Sequence, residues 1–368
     1  MQRRKFITAG LLAGSAVLAT ACGKKEEKKP EAPAVQTKKS YEWRMVTTWP
    51  KNFPGLGTGA NKLAQYITDA SEGRLKVTVY GGGEVVPPFE SFDAVSKGTA
   101  EMGHGAAYYW KGKSPATQFF AAVPFGLNAQ ETNAWIYSGG GQKLWDDLYA
   151  QFNLKPFLAG NTGVQMGGWF NRKIDSLDDM NGLKMRMPGL GGDVLTAIGA
   201  VPKSLPGGEI FTSLQSGAID ATEWVGPYND LAFGFYKVAK FYYYPGWHEP
   251  GTALEAFVNK QAFDALPADL QHIVTVACQA ANNDMLAEFT AKNGDALNTL
   301  INEHNVQLER FPDEVLKKLS TVSEEVVSDV ASADADSKKI YEHFSAFRSK
   351  VSKWTTLSET GFSEARDL

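Results

Sequence analysis

Cysteine is scarce: the 368 residues hold two, Cys22 and Cys278. This excludes a disulfide-stapled scaffold. Their surroundings also speak against pairing. Cys22 closes an apolar leader, whereas Cys278 ends the run Ile273-Val274-Thr275-Val276-Ala277-Cys278, which reads as a buried helix with the thiol as a small core hydrophobe. Stability must therefore come from core burial, for which the chain is long enough. A basic excess is lacking too. Lys and Arg number 37 against 41 Asp and Glu, a formal net charge of −4, and loss of residues 1–22 would remove Arg3, Arg4 and Lys5 and no acid, three positive charges fewer. A mildly acidic surface argues against a nucleic-acid partner, though not against a small anion met by one buried arginine. Catalytic signatures are missing: there is no G-x-S-x-G elbow, no H-E-x-x-H and no P-loop. The five histidines, His104, His248, His272, His304 and His343, include no i, i+4 pair, and Gly55-Leu56-Gly57-Thr58-Gly59 reads as loop, without strand-to-helix context. These absences weigh against an enzyme.

What is present begins with an address. Arg3-Arg4-Lys5-Phe6-Ile7 resembles the signal of the twin-arginine export route. The apolar stretch Ile7 to Ala21 is shorter than the roughly 20 residues of a membrane span. Leu18-Ala19-Thr20-Ala21-Cys22 resembles a lipoprotein cleavage site with Ala19 where Leu is usual, so two mature ends stay open. Cleavage before Cys22 leaves a lipid anchor, and cleavage at Ala19-Thr20-Ala21 leaves a free protein. Residues 1–22 are thus read as a signal peptide, and 23–40, rich in Lys, Glu, Pro and Ala, as a disordered tether. The folded part, 41–368, is expected outside the cytoplasm.

That part alternates between the two periods. Tyr41–Thr48 and Leu75–Tyr80 read as strands, Ala60, Leu63, Ala64, Ile67 and Ala70 as a helical stripe, Phe89–Lys97 as a helix ended by Gly98, and Ala100–Gly103 as a strand. The order argues for an open α/β sheet with ligand at the strand ends. The run Phe92–Glu101 has a faint echo in Phe211–Asp220, each a helix, a Gly and a strand start, which hints at two similar lobes with a cleft between them. Val164–Asn171 and Gly182–Met187 read as further strands and Glu209–Ser216 as a helix. Pro267–Asn305 and Asp313–Lys353 read as long helices, the second with a stripe through Val315, Leu319, Val322 and Val326 and later Ile340, Tyr341 and Phe344.

Four segments carry chemistry-bearing side chains: Thr162–Trp169, Lys184–Gly189, Thr222–Pro227 and Trp247–Gly251. Leu177-x-Asp179-Met180-x-Gly182-Leu183-Lys184-x-Arg186, followed by Gly217–Ala221 and Glu223, resembles the solute-binding proteins of tripartite ATP-independent periplasmic (TRAP) transporters, over nearly all of 41–360. Glu223-Trp224 with His248-Glu249-Pro250 resembles the branch that binds 2-oxo acids or lactate through a metal ion.

The resemblance implies a two-lobed α/β fold like that of periplasmic binding proteins, with the ligand cleft between lobes and long C-terminal helices. It implies that Arg186 pairs with the substrate carboxylate, a geometry that suits a guanidinium fork. Gln165 and Trp224 would also touch substrate, and Tyr108-Tyr109-Trp110 would wall the cleft from the first lobe, with either tyrosine able to point inward, Tyr108 preferred, and Trp110 left in the core. Gln165, Glu223, Glu249 and the Trp224 carbonyl would hold a cation, Na⁺ or Ca²⁺. Two glutamates facing an anion would repel it and one another, and a hard cation with oxygen ligands removes both problems. The implied partners are a short 2-oxo or 2-hydroxy monocarboxylate, the permease subunits of a TRAP transporter, and a second copy of the chain joined through an exchanged C-terminal helix. A periplasmic metal-dependent enzyme acting on small acids and a sensor subunit are the competing readings.

Overall fold

The structure, a computed structural model, describes residues 39–366 and 368. The expected signal peptide and most of the expected tether lie outside the described residues.

The first sheet starts where the period-2 pattern does. In β1 (Tyr41–Thr47) Trp43 and Met45 point inward while Glu42 and Arg44 face solvent. Helix α1 (Leu56–Ala70) buries Ala60, Leu63, Ala64 and Ile67 of the predicted stripe and leaves its last member, Ala70, exposed at the helix end. Then come β2 (Leu75–Tyr80), α2 (Ser91–Ser96), β3 (Met102–Gly105), α3 (Ala129–Tyr137), α4 (Gly141–Ala150) and β4 (Leu154–Asn161). The chain then leaves for a second sheet, built from β5 (Gly168–Phe170), β6 (Lys184–Arg186), α5 (Gly189–Ala197), β7 (Val201–Lys203), α6 (Gly207–Gln215), β8 (Ala221–Thr222), α7 (Pro227–Phe233) and β9 (Phe241–Tyr244). It returns to the first sheet as β10 (Ala253–Asn259), followed by α8 (Lys260–Asp264) and the 35-residue α9 (Ala268–Asn302). The described chain ends with β11 (Gln307–Arg310), α10 (Asp313–Ala331), α11 (Ala335–Thr355) and α12 (Gly361–Arg366).

The strand orders are β2-β1-β3-β10-β4 and β11-β9-β5-β8-β6-β7. They share a plan. In the first, β1 pairs in parallel with β2 and β3, and β10 runs antiparallel beside β3. In the second, β6 pairs in parallel with β7 and β8, and β5 runs antiparallel beside β8. The sequence echo falls on equivalent joints, α2 to β3 and α6 to β8, with Gly98 and Gly217 at φ +76° and +74°. A helix that stops at a left-handed glycine and feeds a central parallel strand is thus built twice.

Two connectors carry the chain between the sheets, residues 162–167 and 245–252. They are hydrogen-bonded to one another: Gln165 N–H donates to the Glu249 carbonyl (3.1 Å), Gly246 N–H to the Gln165 carbonyl (3.0 Å) and Thr162 N–H to the Thr252 carbonyl (3.1 Å). This bounds the strand expected over Val164–Asn171, which is confined to Gly168–Phe170. Its first half is connector, with Val164 in solvent. Helix α9 packs on β4, α1 and α7, so it too touches both halves. Its residue Cys278 is buried in an apolar cluster with Leu270, Val274 and Ala281.

The expected helix over Asp313–Lys353 is two helices. It breaks at Ser332–Asp334, where the Asp334 side chain accepts from Ser337 N–H (2.7 Å) and caps α11. The apolar stripe packs on its own chain: Val315, Leu319 and Val322 join Phe311 and Trp247, and Ile340 and Phe344 join Phe119 and Trp135.

Candidate functional site

Parallel strands of both sheets, β1, β3, β6 and β8, deliver side chains to one site around a small cavity, at or just past their last residues. From the first sheet, Tyr108 and Tyr109 follow β3 and Trp49 follows β1. From the second, Arg186 ends β6 and Glu223-Trp224 follow β8. The connectors add Gln165 from one side and His248-Glu249 from the other. Gly189, at φ +63°, opens α5 so close to Tyr108 that a Cβ there would lie 3.0 Å from the tyrosine's Cβ. Only glycine lets the two halves approach this far. The cavity is walled by Trp49, Leu56, Tyr109, Trp224 and Leu254, and the room inside it is about 10 Å³, on the order of a single water molecule.

All the polar side chains expected from the sequence converge here. Arg186, 1% exposed, makes an ion pair with Glu223, which is fully buried. Its Nη1 also donates to the Glu223 carbonyl (3.2 Å), its Nε to the Leu205 carbonyl (3.2 Å) and its Nη2 to the Tyr109 hydroxyl (3.3 Å). The guanidinium lies over the Trp224 ring, 5.1 Å from its centroid. Burial opposes the charge on Arg186, but Glu223 and the two tyrosines raise its pKa, so it stays a cation.

Glu249 is the strained partner. Burial and then the Glu223 charge push its pKa well above the ordinary carboxylate value, against the opposing pull of Thr252 and Arg186. The Thr252 hydroxyl donates to Glu249 Oε2 and accepts from Gln165 Nε2 (2.9 Å), which also donates to Thr162 Oγ1 (3.1 Å). Both amide hydrogens of Gln165 are thereby turned away, and its Oε1 is left buried with no partner. Glu223 Oε2 is buried without a partner as well, and so are both ring nitrogens of His248, whose Nε2 lies 3.6 Å from Glu223 Oε2. One ligand atom from each of Glu223, His248 and Glu249 falls within 4.8 Å of the others.

Unpartnered buried oxygens are costly. A carboxylate oxygen without a partner, a second carboxyl whose proton a cation would displace, and an orphaned amide oxygen fit a hard cation. The residues present suit Na⁺ or Ca²⁺ better than a soft metal, since His248 is the one nitrogen donor and no thiolate is near.

His248, Thr252 and Trp49 belong to this site without having been assigned roles in the sequence. Tyr108 and Tyr109 both line the cavity, but it is Tyr109 that reaches Arg186. Trp49 is held from behind: its Nε1 donates to His104 Nδ1 (2.8 Å). Burial lowers the His104 pKa to about 4, which keeps the ring neutral and able to accept.

A model of the family DctP, bacterial extracellular solute-binding protein, family 7, matches residues 45–334. The chain belongs to this family. The DctP proteins are solute-binding receptors, which sets the enzyme reading aside. Among its relatives is a monocarboxylate 2-oxoacid-binding periplasmic protein of Nostoc sp. (strain PCC 7120), 42% identical over 362 residues, 98% of each chain. Two solved structures share the fold closely. A TRAP periplasmic solute-binding protein from Pseudoalteromonas atlantica T6c, with bound sodium and pyruvate, is 42% identical with a TM-score of 0.86, covering 89% of this chain and 99% of that one. A TRAP transporter solute-binding protein from Bordetella bronchiseptica RB50 is 37% identical with a TM-score of 0.88, covering 89% and 98%. It is a mixed-occupancy dimer with copurified calcium and picolinate in one active site and an apo site. The DctP assignment agrees with the two-sheet α/β fold and the long C-terminal helices described above.

Proposed function

We propose that this DctP protein captures a short 2-oxo or 2-hydroxy monocarboxylate in the periplasm, using Arg186 and a Na⁺ or Ca²⁺ ion, and hands it to TRAP permease subunits. The observation that carries the reading is the pair of orphaned buried oxygens, Gln165 Oε1 and Glu223 Oε2, beside Glu249. Glu223, Glu249, Gln165 and the Trp224 carbonyl would be the ligands. The ion supplies positive charge and a point of chelation for two ligand oxygens, which a 2-oxo or 2-hydroxy acid offers and a simple fatty acid does not. Arg186 would take the carboxylate by a two-pronged charge-assisted bond. Without an ion Glu249 is driven to hold a proton, and ionising it would leave two carboxylates against one arginine, an excess negative charge that disfavours an incoming anion unless a cation offsets it. Trp49, Leu56, Trp224 and Leu254 exclude water from the acid's alkyl end and limit its length. The relative that binds 2-oxo acids and the neighbours with sodium and pyruvate or calcium and picolinate support this reading.

The test is calorimetric titration of pyruvate, lactate and succinate into refolded, metal-stripped protein with and without Na⁺ or Ca²⁺. One-to-one pyruvate binding only in the presence of the ion is expected. Binding regardless of the ion would remove the ligand roles of Glu223 and Glu249.

Three further features are proposed. A homodimer is proposed from the Bordetella dimer and from three exposed apolar side chains, Trp354, Leu357 and Phe362, on the last helical turns of the described chain. A lipid anchor on Cys22 is proposed from the leader, and the mass of the mature protein distinguishes it from cleavage after Ala21. The folded residues 41–368 are proposed to move as two lobes about the connectors.

A further inference from the structure

Asp230 lies in α7, 1% exposed, behind the cavity-lining Val225, and among the described residues it makes no hydrogen bond to the Glu223, Glu249 or Gln165 side chains. Three donors converge on it. Trp169 Nε1 (3.0 Å) and the Tyr242 hydroxyl (2.7 Å) donate to Oδ2, and Val225 N–H donates to Oδ1 (3.3 Å). The third bond matters for the site. Val225 N–H and the Trp224 carbonyl belong to the same peptide. That peptide is trans, so its N–H and C=O point in opposite directions. Whatever grips the N–H therefore aims the carbonyl. The neighbouring groups are fixed as well: the Val225 carbonyl accepts from Met166 N–H (2.9 Å), and Trp224 Nε1 donates to Asn229 Oδ1 (3.2 Å). Among the described residues no backbone N–H or side chain donates to the Trp224 carbonyl itself.

We infer that Asp230 is a positioning residue for the cation: by holding the Val225 N–H it turns the Trp224 carbonyl toward Glu223, Glu249 and Gln165 as a preformed ligand. The inference rests on the cation reading above. It adds the outer partner that orients a backbone ligand, the counterpart of the carboxylates that orient metal-bound side chains. A purely structural role would make Asp230 a knot tying β5 and β9 to α7 through Trp169 and Tyr242, with no bearing on the ion.

Two variants separate these roles. In Asp230→Asn the amide oxygen is drawn to the two donors Trp169 and Tyr242, which leaves NH₂ facing Val225 N–H. The carbonyl then loses its aim while the fold keeps two of three bonds. Tyr242→Phe removes a bond to the same carboxylate but leaves the Val225 bond intact. Calorimetry on the metal-stripped, full-length chains measures Ca²⁺ and Na⁺ binding, then pyruvate at saturating ion.

For Asp230→Asn the expected result is a cation Kd raised tenfold or more, with pyruvate affinity at saturating ion within threefold of wild type. Tyr242→Phe should lower the unfolding midpoint and leave the cation Kd within twofold. The inference is overturned if Asp230→Asn keeps the wild-type cation Kd, or if Tyr242→Phe raises it equally. Should Asp230→Asn not fold, the Val225 amide resonance of the wild-type chain carries the test. Ligation of the Trp224 carbonyl polarises its peptide and shifts that resonance on cation addition, and an unmoved resonance overturns the inference. Wild type that binds no cation in calorimetry would instead overturn the proposed function, so the two failures are distinguishable.

Discussion

Removing the Arg186 guanidinium should damage stability and binding separately, and the structure says by how much. Arg186→Met keeps the length of the side chain and deletes the charge. It strands Glu223, fully buried, with Oε1 newly unpaired and Oε2 already without a partner. Breaking a buried pair from one side costs about 3–5 kcal/mol. Adding Glu223→Gln removes the stranded charge, so the double variant should recover most of that stability. Ligand affinity follows a different rule. A charge-assisted hydrogen bond is worth about 1.5–3 kcal/mol, so losing a two-pronged one should cost about 3 kcal/mol or more, at least a hundredfold in Kd. Arg186→Lys keeps the charge but cannot span Leu205, Glu223 and Tyr109 at once, and it should fall between wild type and Arg186→Met. Urea unfolding without cation reads the first quantity, and pyruvate calorimetry with saturating Ca²⁺ reads the second. The reasoning fails if folded Arg186→Met binds pyruvate within threefold of wild type, because Arg186 would then serve only to neutralise Glu223.

Two further outcomes are expected. Burial raises the Glu255 carboxyl from 4.5 to about 7, against the lowering by Tyr149 and Trp110. A raised folded pKa gives stability that is full below the unfolded value and is lost as pH rises through the folded one. At about 1.4 kcal/mol per unit, this group should withdraw about 3 kcal/mol between pH 4.5 and 8, and Glu255→Gln should lack that part of the slope in urea unfolding. Equal losses in both proteins would show that Glu255 is already ionised in the fold. Replacing Trp354, Leu357 and Phe362 with Ser should shift sedimentation from dimer to monomer with pyruvate affinity unchanged, whereas an unchanged dimer would place the interface elsewhere.

Much of the first sheet could be read directly, because β1 and α1 each have one buried and one exposed face and so display their period. Strands β4 and β10 escaped notice for the opposite reason. Nearly every residue in Leu154–Asn161 and Ala253–Asn259 is buried, so no alternation marks them. Strand β11 is a short, polar edge strand and β9 is four aromatic residues, neither with a turn signal of its own. The split of α10 from α11 was written at Asp334, a capping residue inside an otherwise helical run. At the site, the carboxylates, Arg186 and Gln165 were legible through a family pattern. Thr252 and His248 were not, since what they do depends on partners distant in sequence, Gln165 on the other connector and Glu223 after β8. Nor was the choice between Tyr108 and Tyr109, which depends on which hydroxyl meets Arg186.

Gln165 and Glu249 sit on the two connectors, the very segments about which the halves would rotate. On the proposed ligation, an ion held by both would act as a pin through a hinge. Its loading would stiffen the joint before the acid arrives, so much of the ordering that closure demands would be complete in the ion-loaded receptor. Two consequences would follow for the order of events. Ion should enter first, and the acid should meet a joint with little freedom left to lose. Swinging the halves apart would then pull on Gln165 and Glu249 themselves, so opening would loosen the ion's seat in the same motion that uncovers the acid.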